Sequence, residues 1–170
     1  CLNKRKPGTS SIVSQRKEVD KVEFLSGLFN GVTLGTPIGF LIRNTDYNSK
    51  DYDDLKNVFR PSHADFTYQN KYGVRDYRGG GRSSARETAN WVVAGAIALQ
   101  VLKTKGINVC SYVSSIGGID VEKDYNDIDL ELVYNNEMRC PCDRSAKKMK
   151  DLVRKCKTNG DTIGGCVSTV

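Results

Sequence analysis

Long apolar runs are absent from this 170-residue chain. None approaches the roughly 20 residues that a helix needs to cross a bilayer, so an integral membrane protein is excluded on this reading. An initiating Met is missing too, and Cys1-Leu2-Asn3-Lys4-Arg5-Lys6-Pro7 lacks the apolar stretch of a signal peptide. The end, Thr162 to Val170, stops inside an apolar β-type run. We therefore expect a chain truncated at both ends. There is no Asn-x-Ser/Thr sequon, and histidine occurs once. The six cysteines (Cys1, Cys110, Cys140, Cys142, Cys156, Cys166) have only one close pair, and it is C-x-C, not the C-x2-C of zinc sites. That spacing predicts free, reduced thiols and no metal, as in a reducing, cytoplasmic compartment. A P-loop, a G-x-G-x-x-G fingerprint and internal repeats are likewise missing.

What is present describes a soluble globular protein, with 38% hydrophobic and 27% charged residues. The length suits one ordinary domain or part of a larger one and needs no disulfides to hold a core. A net charge of +6 and a pI near 9.0 favour anionic partners without choosing among nucleic acid, membrane surfaces and phosphorylated small molecules.

Along the chain, Cys1 to Lys17 is basic and irregular. Asp20 is placed to cap a short helix over Lys21 to Leu25, limited by Gly27 and Gly31. Pro37 to Asn44 predicts a strand buried on both faces, and a polar loop follows from Asp46 to Asn70. Ser84-Ala85-Arg86-Glu87 has the form of a capping box. The helix behind it, to Lys105, would span roughly 33 Å. It is apolar on most faces and so expected inside the molecule, with Gly106 as its stop. Strands are predicted over Ile107 to Ile116, Ile128 to Tyr134 and from Thr162 onward, and a helix over Ser145 to Lys157. This order, without regular βαβ units, predicts an α+β fold.

Two segments carry chemistry. Arg60-Pro61-Ser62-His63-Ala64-Asp65 holds the only histidine, between an Arg and an Asp that can tune it, which suits a general acid or base as well as a structural histidine. Gly79-Gly80-Gly81-Arg82-Ser83-Ser84-Ala85-Arg86-Glu87-Thr88 places glycines and two guanidinium groups at a helix N-terminus, a setting for an anion or a plain loop-to-helix junction. Asp46, Asp51, Asp53 and Asp54 do not make an EF-hand, because Asp51 stands where Gly is required. The Arg, Tyr and Gly mixture of Arg75 to Arg82 leaves a second reading open, a basic nucleic-acid-binding module.

These residues resemble chorismate synthases. The matching stretches are Lys4 to Ser10, Leu25-Ser26-Gly27 with Gly31 to Ile38, Ser49-Lys50-Asp51-Tyr52, Arg60 to Asp65, Lys71-Tyr72-Gly73, Asp76 to Thr88 and Gly160 to Gly165. They recur in the family's order over nearly all 170 residues, as part of a single chorismate synthase domain without its first strand region and C-terminal half. The resemblance implies a β-α-β sandwich with helices between antiparallel sheets, usually a homotetramer, cytoplasmic, binding neither membrane nor nucleic acid. It implies a shikimate-pathway lyase of aromatic amino acid biosynthesis. That lyase converts 5-enolpyruvylshikimate 3-phosphate to chorismate by 1,4-anti elimination, using reduced FMN (FMNH2) without net redox change. His63 matches the family histidine implicated in protonating the reduced flavin. Arg5, Arg60 and Arg86 match substrate-binding arginines, and Arg82, Ser83 and Ser84 match flavin contacts. Ser11 stands where the family often has a further Arg, and Thr162 where Ser is common. A second essential histidine and a catalytic Asp belong to family segments outside this chain, so residues 1–170 alone are expected not to turn over substrate.

Overall fold

The structure is a computed structural model that describes residues 1–5, 7–8, 10, 12–13, 18–46, 48–79 and 81–170. Ser11, Gly80 and all of the stretch 14–17 lie outside the described residues. The chain divides into two compact units, Cys1–Thr9 with Gln15–Gln100, and Ser10–Ser14 with Val101–Val170.

The first unit opens with a single helical turn, α1 (Leu2–Arg5). Strand β1 (Val22–Phe24) follows where a helix capped by Asp20 was expected. Asp20 has φ 49, a left-handed conformation from which no helix starts, and Val22 and Phe24 are instead paired antiparallel with Ile42 and Phe40 of β4 (Phe40–Ile42). The Phe24 and Phe40 rings meet edge to face at 6.2 Å, worth about 0.5–1.5 kcal/mol beyond the area they bury. The predicted strand over Pro37 to Asn44 is thus shorter than expected and half-buried. Between these strands, β2 (Leu28–Phe29) and β3 (Val32–Thr33) form a hairpin closed by Asn30-Gly31, both at positive φ, as a two-residue turn matched to strand twist requires.

The polar loop is more ordered than its composition suggested. A 3-10 helix, Ser49–Leu55, starts at Asn48, whose side chain accepts the Lys50 N–H. Helix α2 (Asp65–Tyr72) ends at Gly73 in the left-handed conformation. The turn Gly81–Ser83 and a 3-10 turn, Ala85–Glu87, lead into α3 (Thr88–Lys103). Ser84 caps as predicted, accepting the Arg86 N–H. Glu87 does not reach back to complete the box; its carboxylate takes Arg82 and Asn90 instead. Only Ala89 and Val93 of α3 are buried, and Trp91 is 70% exposed. The expectation of a helix enclosed on most faces is therefore not met by the described residues, because their apolar partners cover only the 89/93 stripe.

In the second unit, β5 (Ser111–Ile116) is central, with β6 (Ile119–Asp120) on one side and β7 (Gly165–Thr169) on the other, all antiparallel. A bulge between Val113 and Ser115 shifts the register against β7. Helix α4 (Asp143–Thr158) covers the helix predicted over Ser145 to Lys157, and its apolar stripe buries Ala146 and Met149 beside Met138 and Cys140. Burying a methionine side chain contributes roughly 1.5–3 kcal/mol. The strand expected over Ile128 to Tyr134 is instead a 3-10 helix, Leu130–Tyr134. Asp129 accepts the Glu131 N–H, a local side-chain bond that competes with pairing into a sheet, and Val133 is fully buried without a strand partner. Small antiparallel sheets with separate helices make the fold α+β, as expected. Among the described residues, no helix is long and apolar enough to cross a membrane.

Candidate functional site

Asp65, the first residue of α2, is 1% exposed and gathers four donors. Arg60 gives it the backbone N–H at 3.1 Å and the side-chain Nε and Nη2 at 2.8 and 2.9 Å. His63 Nδ1 lies 3.0 Å from Oδ1. The side-chain hydrogen bonds from Arg60 outweigh desolvation and hold the Asp65 carboxyl well below the usual carboxylate range, with the Arg60 N–H and the nearby charges adding to the effect. The same pairing raises the Arg60 guanidinium. Arg75 closes the cluster from behind. Its Nη1 is 3.5 Å from Asp65 and its Nη2 donates to the carbonyls of Leu55, Lys56 and Val58, with the guanidinium over the Phe59 ring.

This geometry fixes the imidazole. Nδ1 also lies 3.3 Å from Arg60 Nη2. A fully ionised carboxylate has no proton to give, so we assign Nδ1–H as donor to Oδ1. The Arg60 contact then follows from two donors sharing one oxygen. Nε2 is left as the nitrogen that exchanges protons. The loop reaches this shape through Ser62, at φ 58.

A second carboxylate, the enclosed Asp20, collects the other arginines. Arg86 Nη2 donates to its Oδ1 at 2.5 Å, and Arg5 Nη1 lies 3.7 Å from its Oδ2. Arg5 Nη2 also donates to Thr88 Oγ1 at the start of α3. Glu18, also buried, stands 3.5 Å from Arg86 Nη2 and accepts from Thr45 and Asp46. Neither acid was singled out from sequence as a site residue, Asp20 being read as a helix cap, although two acids spaced by two share a face of an extended chain, a usable signal.

Arg86 and Ser84 line a cleft of about 280 Å³ together with Tyr52, Asp76, Arg78 and Gly79. Arg60 and His63 do not line it, but the Arg60 guanidinium lies 5.8 Å from the Tyr52 ring centre. Arg82 is 78% exposed and paired with Glu87; it lines a broader cleft of about 570 Å³ with Tyr68, Tyr72, Tyr77 and Arg78. Ser83 lines neither cleft. The structure thus brings together Arg60 with His63, and Arg5 with Arg86.

Each arginine carries a carboxylate partner, so an anion would meet aimed N–H groups and not a strongly positive field. The nucleic-acid reading also loses its support. The Arg75 side chain is enclosed, and Arg78 and Arg82 are paired with Asp76 and Glu87, so the described residues of segment 75–82 do not present a free basic stripe.

The comparisons with known proteins agree in one direction. The family model described as chorismate synthase matches residues 1–170. Chorismate synthases from Phocaeicola vulgatus and Christiangramia forsetii are each 55% identical over 169 residues, and that of Bacteroides thetaiotaomicron is 54% identical. Each match covers 99% of this chain and 47% of the relative, so the chain spans about half the length of the curated relatives it matches. A crystal structure of chorismate synthase superposes with a TM-score of 0.67 at 32% identity, covering 87% of this chain and 43% of that one. A family-model match from the first residue to the last, with relatives 54–55% identical over 169 residues, means that this chain belongs to the chorismate synthase family.

Proposed function

We propose that the full-length protein is a lyase that converts 5-enolpyruvylshikimate 3-phosphate to chorismate and phosphate by 1,4-anti elimination. The observation that carries this reading is the pair of buried carboxylates, Asp65 and Asp20, each fixing arginines that the family motif assigns to an anionic substrate. Arg86 keeps Nε and Nη1 without a hydrogen-bond partner among the described residues while its Nη2 is held. Such aimed donors suit a phosphate or carboxylate, and they would stabilise charge that builds on the departing phosphate.

The residues also fit reduced FMN. The two clefts share Asp76, Arg78 and Gly81, and between them offer four tyrosine rings, the Arg82 guanidinium and the Ser84 hydroxyl. That donor set suits a flat ring system bearing a phosphate. Arg82 and Ser84 would hold the cofactor in these clefts, and Ser83, which the family resemblance also assigns to it, lies outside both. When bound, it supplies electron density to the substrate and recovers it, without net redox change. His63 holds or delivers a proton at Nε2 while Asp65 keeps the ring oriented. A homotetramer, a cytoplasmic location and a single domain that includes residues 1–170 belong to the same reading.

The test is an anaerobic assay of the full-length protein with chemically reduced FMN and 5-enolpyruvylshikimate 3-phosphate, following chorismate by absorbance. Turnover that drops by roughly a hundredfold or more in His63→Ala is the expected result. A wild type that binds flavin but makes no chorismate would refute the lyase reading.

A further inference from the structure

We infer that Asp20 is a positioning residue, one buried carboxylate that aims Arg5 and Arg86 together at the anionic groups of the substrate, with Glu18 as its support. What the arginines bind rests on the lyase reading above; how they are held rests on geometry alone. The Asp20 side chain is fully enclosed and lies in the left-handed region at φ 49, which L-residues other than Asn and Asp enter at a cost. Its Oδ1 takes Arg86 Nη2, and its Oδ2 makes no hydrogen bond among the described residues but faces Arg5 Nη1 at 3.7 Å.

Both acids grip Arg86 by one nitrogen. Asp20 Oδ1 stands at 2.5 Å and Glu18 Oε2 at 3.5 Å from the same Nη2, leaving Nε and Nη1 for a ligand in the cleft. Arg5 is held by two nitrogens, with Thr88 Oγ1 and the Ala85 carbonyl on Nη2 and Asp20 on Nη1. Ordering two long side chains before the ligand arrives removes a conformational cost from binding. Asp20 is one carboxylate common to both arginines, which lie 81 residues apart in sequence.

Positioning and simple charge balance predict opposite signs. If Asp20 only offset positive charge, removing that charge would tighten the binding of an anion. If it aims the arginines, the same change weakens binding. Asp20→Asn separates them, because Asn keeps the shape and tolerates the left-handed backbone. In the full-length protein, calorimetric titration with 5-enolpyruvylshikimate 3-phosphate should give a Kd roughly tenfold weaker or more for Asp20→Asn, with the FMN Kd within about twofold. Glu18→Gln should shift the Kd in the same direction by less. An unchanged or tighter Kd overturns the inference. If the wild type binds no 5-enolpyruvylshikimate 3-phosphate, the lyase reading fails, and a ligand-free measurement decides this one. The Nη–H signals of Arg5 and Arg86 in ¹⁵N spectra, assigned with Arg5→Lys and Arg86→Lys, should move to the exchange-broadened position of solvent-exposed arginines in Asp20→Asn. Signals that stay in place overturn the inference. Should Asp20→Asn not fold, Glu18→Gln applies both tests through Arg86.

Discussion

Replacing Asp65 by Asn removes one charge and turns one acceptor into a donor at the centre of the histidine cluster. Oδ2 accepts from the Arg60 N–H and Nε at 3.1 and 2.8 Å. Oδ1 accepts from Arg60 Nη2 at 2.9 Å and faces His63 Nδ1 at 3.0 Å. The amide nitrogen must take one of these places, so either orientation sets a donor against two donors and loses two hydrogen bonds. Bonds to charged groups contribute about 1.5–3 kcal/mol each, and breaking a buried ion pair from one side costs about 3–5 kcal/mol. The two routes agree on a loss of about 3–5 kcal/mol at pH 7, read from urea unfolding of wild type and variant. The pH dependence has a definite sign. The folded Asp65 carboxyl titrates below its ordinary value of 3.8, so its contribution is complete above that value and is lost as pH falls through the lower, folded one. The gap between wild type and Asp65→Asn should therefore be constant from neutrality to about pH 5 and narrow in stronger acid. A loss under about 1 kcal/mol, or a gap that widens in acid, refutes the reasoning.

Two other substitutions separate stability from binding. Arg82→Ala removes an exposed ion pair with Glu87, so urea unfolding should change by less than about 1 kcal/mol, while flavin affinity, followed by fluorescence quenching, should fall about tenfold or more if Arg82 holds the cofactor. Met149→Ala empties a fully buried position in the core of the second unit; unfolding should show a loss of about 2–5 kcal/mol with no change in flavin affinity.

What the sequence made legible follows from how far apart the partners stand. Arg60, His63 and Asp65 lie within one loop, so their alternation of charge and imidazole could be read directly. Helix α4 could be read because its stripe is narrow and lysines mark the other face. The Asp20–Arg86 contact joins positions 66 apart, and no local pattern encodes it; Asp20 ahead of an apolar run looks like a helix cap until β4 offers that run a strand partner. Tertiary pairing overrode a local propensity there. At Leu130–Tyr134 the reverse held, since Asp129 tightened an alternating, strand-like run into a 3-10 turn. The Asn30-Gly31 dipeptide was a readable hairpin signal, but between glycine-rich flanks it reads equally as a helix limit.

The two arginine-holding carboxylates also differ in when a folding chain can form them. The Arg60–Asp65 contact closes a loop of five residues and the Arg86–Asp20 contact one of 66, a difference of about 2 kcal/mol in loop-closure entropy. The histidine turn is thus within reach of a partly folded chain, whereas Arg5 and Arg86 come together only when β1, α1 and the start of α3 have already assembled. An unfinished chain would carry the histidine loop without the Arg5–Asp20–Arg86 cluster, which would arrive last, together with the completed unit.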